Sequence, residues 1–177
     1  MTPTTTEATE AIAAQFQMLG RYNTRANRIL YDSCASLTED ERKRERPAFF
    51  GSIHGTLNHI MLGDRIWMAR FEGGEAPSTN LDAILHEDFA ELRAAREKED
   101  ARIESFMDGV TGEFLNGSIR YLNNEGNWHD DPIPLLLTHF FNHQTHHRGQ
   151  IHGLLSHAGV KTPVLDLHRV LRPEPEG

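Results

Sequence analysis

Cysteine is almost missing from this chain: Cys34 is the only one in 177 residues. No internal disulfide can form, and a reducing compartment is the simple expectation. A lone cysteine within a helical pattern reads as a small packing residue, not a nucleophile. Positive charge is also short, with 18 Lys and Arg against 26 Asp and Glu, a formal charge of −8. That deficit argues against a nucleic-acid partner, because phosphate contacts need surplus Lys and Arg. The one basic cluster, Arg42-Lys43-Arg44 with Arg46, is interleaved with Glu39, Asp40, Glu41 and Glu45 and reads as a solvated loop. No apolar run is long enough to span a membrane, so no membrane partner is expected. The N-terminus, MTPTTTEATE, has neither the basic start nor the apolar run of a signal peptide, and a cytoplasmic protein is expected. No Glu-x-x-His occurs, which sets aside a carboxylate-rich di-iron bundle.

What is present is helical periodicity. Ile12, Phe16, Leu19, Tyr22, Asn23, Ala26, Ile29 and Leu30 recur at spacings of three and four and predict a helix over roughly residues 8–36. Ile53, Leu57, Ile60, Asp64, Trp67 and Phe71 predict a second over about 52–71. Asn80 is a candidate cap for a third, with the stripe Leu81, Leu85, Phe89, Leu92, Ile103 and Phe106, ending at Asp108-Gly109. Ile119, Tyr121 and Trp128 flank the turn Asn123-Asn124-Glu125-Gly126 and predict two short strands within 114–130. A fourth helix is predicted over about 134–158, with Pro134 in its first turn and Gly159 as its stop. The fold class expected is all-α: one domain over 1–177, an antiparallel four-helix bundle with a short β-hairpin before the fourth helix. About seven N-terminal and six C-terminal residues are expected to be disordered.

The fourth helix carries HFFNHQTHHRGQIHGLLSH, residues 139–157, which hold six of the eleven histidines. Leu136, Phe140, His143, His147, Ile151 and Leu154 fall on one stripe, so two imidazoles interrupt the core face at i and i+4. Burying two unpaired imidazoles is costly, and burying two imidazolium ions is worse. A shared divalent ion removes both costs, since rings at this spacing reach one cation at roughly 2.0–2.1 Å each if it is zinc. The competing reading is a pair of core histidines hydrogen-bonded to other helices. A third ligand has to come from elsewhere, and His59, mid-helix at the edge of the second stripe, is a better candidate than His54, which can cap its helix or face solvent. His139 is placed to line the same cavity, and His146 reads equally as a supporting residue or a surface one. His86, His129, His152 and His168 read as surface residues, Arg148 as one half of a structural salt bridge in preference to a contact for an anionic substrate, Asp64 as a helix–helix or interface hydrogen-bonding group, and Trp67 and Phe140 as core.

NHQTHHRGQ (Asn142 to Gln150), preceded by TLNHIMLGDRIW (Thr56 to Trp67), resembles the DinB/YfiT-like superfamily of metal-binding four-helix bundles. RYNTRANRILYD in the first helix and TPVLDL after the fourth look similar too. The resemblance implies one divalent ion, zinc or nickel in many members, held by one histidine of the second helix and a His-x-x-x-His pair of the fourth, here His59, His143 and His147. It also implies a bundle that is often a homodimer. Characterised relatives use low-molecular-weight thiols: bacillithiol or mycothiol transferases, glutathione S-transferase-like members and a maleylpyruvate isomerase. The function expected is a metal-dependent enzyme that activates a small thiol towards an electrophilic substrate, of S-transferase or isomerase type. A metal-assisted hydrolase and a non-catalytic metal-binding or stress-response protein are the alternatives.

Overall fold

The computed structural model describes residues 5–77 and 80–173. In chain order its elements are α1 (Thr5–Ala35), α2 (Glu39–Lys43), α3 (Ile53–Phe71), α4 (Phe89–Asp108), α5 (Gly112–Leu115), β1 (Ser118–Leu122), β2 (Trp128–Pro132), α6 (Ile133–His157) and α7 (Leu167–Leu171). The four long helices form an antiparallel bundle, α1 packing on α4 and α6, and α3 on α6 and α4. Most of both ends expected to be disordered, residues 1–4 and 174–177, lies outside the described residues.

Polar side chains set the helix starts. Ser52 caps α3 by accepting a hydrogen bond from the Gly55 backbone N–H at 2.9 Å, and Asp88 caps α4 by accepting one from Glu91 N–H at 2.9 Å. The hairpin is antiparallel, with Ser118 opposite Pro132 and Leu122 opposite Trp128. Its turn closes on the Asn123 side chain, which accepts from Glu125 N–H and Asn127 N–H, and Gly126 takes φ +83, a left-handed conformation that favours glycine.

The third long helix begins nine residues later than Asn80. Asn58 of α3 explains why: its side-chain oxygen accepts from both Leu85 N–H (2.9 Å) and His86 N–H (3.0 Å). Those two bonds hold the 80–88 segment against α3 as irregular backbone, so its donors are not available to a helix. The charged stretch after α1 also departs from a simple loop. Thr38 caps the short α2, and Arg46 folds back to pair with Glu41.

The core divides into two apolar clusters. One holds Phe16, Met68, Phe71, Ile103, Met107, Leu137 and Phe140; the other holds Leu30, Tyr31, Leu57, Met61, Leu92, Ile151 and Leu155. Between them along every long helix lies a buried polar level: Asn23 and Asn27 of α1, Asp64 of α3, Arg96 and Asp100 of α4, Gln144 and Arg148 of α6. Arg96 Nη1 donates to Asp64 Oδ2 at 2.5 Å and pairs with Asp100 through Nη2 at 3.0 Å. Gln144 Nε2 donates to the other Asp64 oxygen at 2.8 Å. Asn23 and Asn27 donate to Asp100 at 3.2 and 2.8 Å and accept from Arg148. Buried charges persist only when partnered in this way. Burial still pushes Asp100 up to about 6, against the pull of Arg96. Asp64 thus bridges helices, as its position in the sequence suggests.

Candidate metal centre

The centre forms where α3 and α6 pass each other beside the buried polar level. His59 faces inward from the middle of α3, and its Nδ1 donates to the Leu81 carbonyl at 2.8 Å. Donation from Nδ1 leaves the Nε2 lone pair free and turned towards α6. There His143 Nε2 lies 3.1 Å away. His147, one turn on, donates from Nδ1 to Gln150 Oε1 at 2.7 Å, which frees its Nε2 in the same way. The ring centroids of His59 and His147 are 4.5 Å apart, and those of His143 and His147 4.4 Å. Among the described residues these three histidines form a group whose ligand atoms all lie within 4.8 Å of one another, and which could hold a metal ion.

The donor set suits a divalent ion. Two ligands on a tetrahedral zinc sit roughly 3.4 Å apart if each bond is about 2.0–2.1 Å, near the 3.1 Å between His59 and His143. The ordered Nδ1 partners of His59 and His147 are of the kind that accompany histidine ligands. Proton affinity runs the same way. Burial lowers the pKa of His59 below the ordinary imidazole value. His143 is pushed down to about 3, by burial first and then by the neighbouring imidazoles, and His147 to about 4, by burial and against the Gln150 hydrogen bond. Three rings kept neutral at physiological pH are three available ligands.

Neighbouring residues shape the centre. Phe50, in the turn before α3, stacks on His59 with ring centroids 3.7 Å apart and meets His147 edge-on at 5.5 Å. Gly63, one turn after His59, lets His143 approach α3: a Cβ there would lie 2.9 Å from His143 Cε1. Gln150 also donates to His146 Nε2 at 3.1 Å, so one amide links the exposed His146 to His147.

Several positions differ from the sequence reading. His54 neither caps α3 nor faces solvent; it is 3% exposed and its Nε2 donates to the His86 carbonyl at 2.9 Å. His139 is an exposed residue whose ring lies 6.0 Å from that of His143 and edge-on to Trp67. Trp67 is only partly buried, whereas Phe140 is core. His152 is half-buried, donating to the Pro163 carbonyl at 3.2 Å, and His86 is half-buried as well. Among the described residues no carboxylate pairs with Arg148; amide oxygens of Asn23 and Asn27 take its place. The roles of Phe50, Gly63 and the Leu81 carbonyl were missed. Gly63 had a signal in the sequence, a glycine four residues after His59 on the same helix face, but nothing local marks the other two.

A model of the DinB family matches residues 6–177. The chain is 29% identical over 158 residues to Protein DinB of Bacillus subtilis (strain 168), an alignment covering 84% of this chain and 88% of that protein. The crystal structure of a DinB-like protein from Bacillus cereus ATCC 10987 superposes with a TM-score of 0.57 at 19% identity, covering 81% of this chain and 90% of the other. At that identity the superposition speaks to the fold alone.

Proposed function

This chain belongs to the DinB family, and from that premise we propose that it is a divalent-metal enzyme that activates a low-molecular-weight thiol for S-transfer or isomerisation. His59, His143 and His147 would hold the ion, zinc or nickel, both of which suit imidazole donors. The observation that carries the reading is the convergence of three neutral imidazoles, two of them with Nδ1 tied to an acceptor and Nε2 turned to a common point. When bound, an ion with three neutral ligands keeps its full charge and supplies the Lewis acidity that draws the proton from a small thiol.

The chain's own residues do the rest. Leu81 and Gln150 hold two rings in one tautomer and orientation. Phe50 covers a face of His59 and keeps water from it. The thiol is external because the chain offers none: Cys34 is fully buried and burial pushes its thiol up to about 12. A hydrolase would want a carboxylate base beside the ion. Asp64, the carboxylate of α3, is instead fully buried and committed to Arg96 and Gln144.

Elemental analysis of protein purified without an affinity tag tests the ion. One equivalent of zinc or nickel, lost when the three histidines are changed to alanine, supports the centre; no bound metal overturns it. Metal-loaded protein is then offered a panel of thiols and electrophiles. Thiol-dependent turnover abolished by His147→Ala supports the reaction. Turnover that survives the substitution, or that needs no thiol, sinks it, and stoichiometric metal with no turnover selects a non-catalytic metal-binding protein.

A further inference from the structure

We propose that a second pocket, on the side of α6 away from the three histidines, binds a small organic carboxylate with Arg148 as its cationic partner. Arg148 is 2% exposed. Among the described residues its hydrogen bonds go to neutral acceptors: Nη1 to the side-chain oxygens of Asn23 and Asn27, and Nη2 to Thr145 Oγ1 at 3.4 Å. The buried carboxylates nearby, Asp64 and Asp100, pair directly with Arg96 and act on Arg148 only through space. The Tyr22 ring lies 5.3 Å from the Arg148 guanidinium carbon. Among the described residues no carboxylate touches the Arg148 guanidinium directly, so a planar fork that matches a carboxylate is still without one in contact.

A cavity of about 460 Å³ meets this residue. Thr145, Arg148, Gly149 and His152 of α6 form one wall, Tyr22 of α1 another, and the 162–166 segment the third. Two hydrogen bonds pin the outer wall: Tyr22 donates to the Leu165 carbonyl at 2.7 Å, and His152 Nε2 to the Pro163 carbonyl at 3.2 Å. Thr145 Oγ1 accepts from Arg148, so its hydroxyl proton remains available to a ligand. The volume falls in the range of small-molecule sites, roughly 300–1,000 Å³. Asp166 also lines the cavity. Its charge opposes a second negative charge on the ligand, so a singly charged carboxylate is preferred over a phosphate dianion. The site is independent of the metal reading, because none of its walls is one of the three histidines.

Full-length protein, metal-loaded and EDTA-treated in parallel, is titrated calorimetrically with benzoate, acetate and inorganic phosphate at constant ionic strength. The expected result is one saturable site, about tenfold or more tighter for a carboxylate than for phosphate, with the same affinity with and without metal. Gly149→Leu is the decisive variant. Gly149 is an exposed helical position where an added Cβ meets nothing within 4 Å, so a leucine there fills the cavity without touching the bonds of Arg148. It should weaken carboxylate binding about tenfold or more while leaving the melting temperature of the unliganded protein unlowered. Arg148→Gln should abolish binding. Binding unchanged in Gly149→Leu, binding that requires the metal, tighter binding of phosphate, or no saturable binding of any of the three overturns the proposal.

Discussion

A methyl group on Gly63 would sit 2.9 Å from Cε1 of His143, inside the contact distance of real Cβ atoms. The absence of a side chain on α3 is therefore what lets a ring of α6 lie against its backbone beside His59. Gly63→Ala should displace His143 and weaken zinc binding by on the order of tenfold or more. The replacement also favours the helix by about 0.5–1 kcal/mol, so stability in urea should fall little. Competition against a chelating dye measures the first and a urea titration the second; zinc affinity equal to that of the parent protein would refute the steric account.

Gln150 fixes the His147 ring through the 2.7 Å bond to Nδ1. Gln150→Leu keeps the bulk of the side chain and removes that acceptor. Metal affinity should drop about 10–100-fold, the usual loss when a partner that orients a ligand is removed. Retention of full affinity in Gln150→Leu, measured with the same dye, would leave the amide without a role at the centre.

Asp64→Ala should be among the most damaging single changes. It removes the carboxylate that takes Arg96 Nη1 and the acceptor of Gln144 Nε2, both in the buried polar level. Removing one partner of a buried ion pair costs about 3–5 kcal/mol. Urea denaturation followed by far-ultraviolet circular dichroism should show a loss of that size; a loss below about 1 kcal/mol would mean that Arg96 finds full compensation in Asp100.

The histidines also set a pH dependence in metal-free protein. His143 and His147 have folded pKa values of about 3 and about 4, well below the usual imidazole value, because burial penalises the charged rings. The unfolded chain binds protons more readily, so their contribution is present above pH about 6.5 and is lost as the pH falls towards the folded values. Asp100, raised to about 6 by burial, acts in the opposite direction, gaining stability as it protonates. His143→Asn separates the two, since Asp100 is common to both proteins. Stability measured in urea from pH 7 to 4.5 should fall less steeply in His143→Asn than in the parent; parallel curves would contradict the burial of that imidazole.

Periodicity alone marks out α1, α3 and α6, because each of these helices keeps one apolar stripe against the bundle and a stripe is a local property of sequence. The same stripe, read through Asn80, Leu81 and Leu85, overruns the true start of α4 at Phe89. The bonds that overrule it come from Asn58, 27 and 28 positions earlier in the chain. The i and i+4 spacing of His143 and His147 is likewise legible, since one helical turn brings their side chains to one face. Of His54 and His59 on one helix, the sequence already favours His59, from its place mid-helix at the edge of the stripe. The tertiary structure adds the placement, turning His54 under the His86 carbonyl and bringing His59 Nε2 to 3.1 Å from His143 Nε2.

What the sequence determined by itself is the existence of the four long helices and the apolar stripe along each, because both follow from side-chain spacing along a single element; the short α2, α5 and α7 carry no such stripe. What only the tertiary structure decided is which polar groups meet: Phe50 on His59, Gly63 beneath His143, Arg148 among amides instead of carboxylates. The last two join segments distant in the chain and are set by how the helices cross, and the first depends on how the turn before α3 folds back on it, which no helical periodicity encodes.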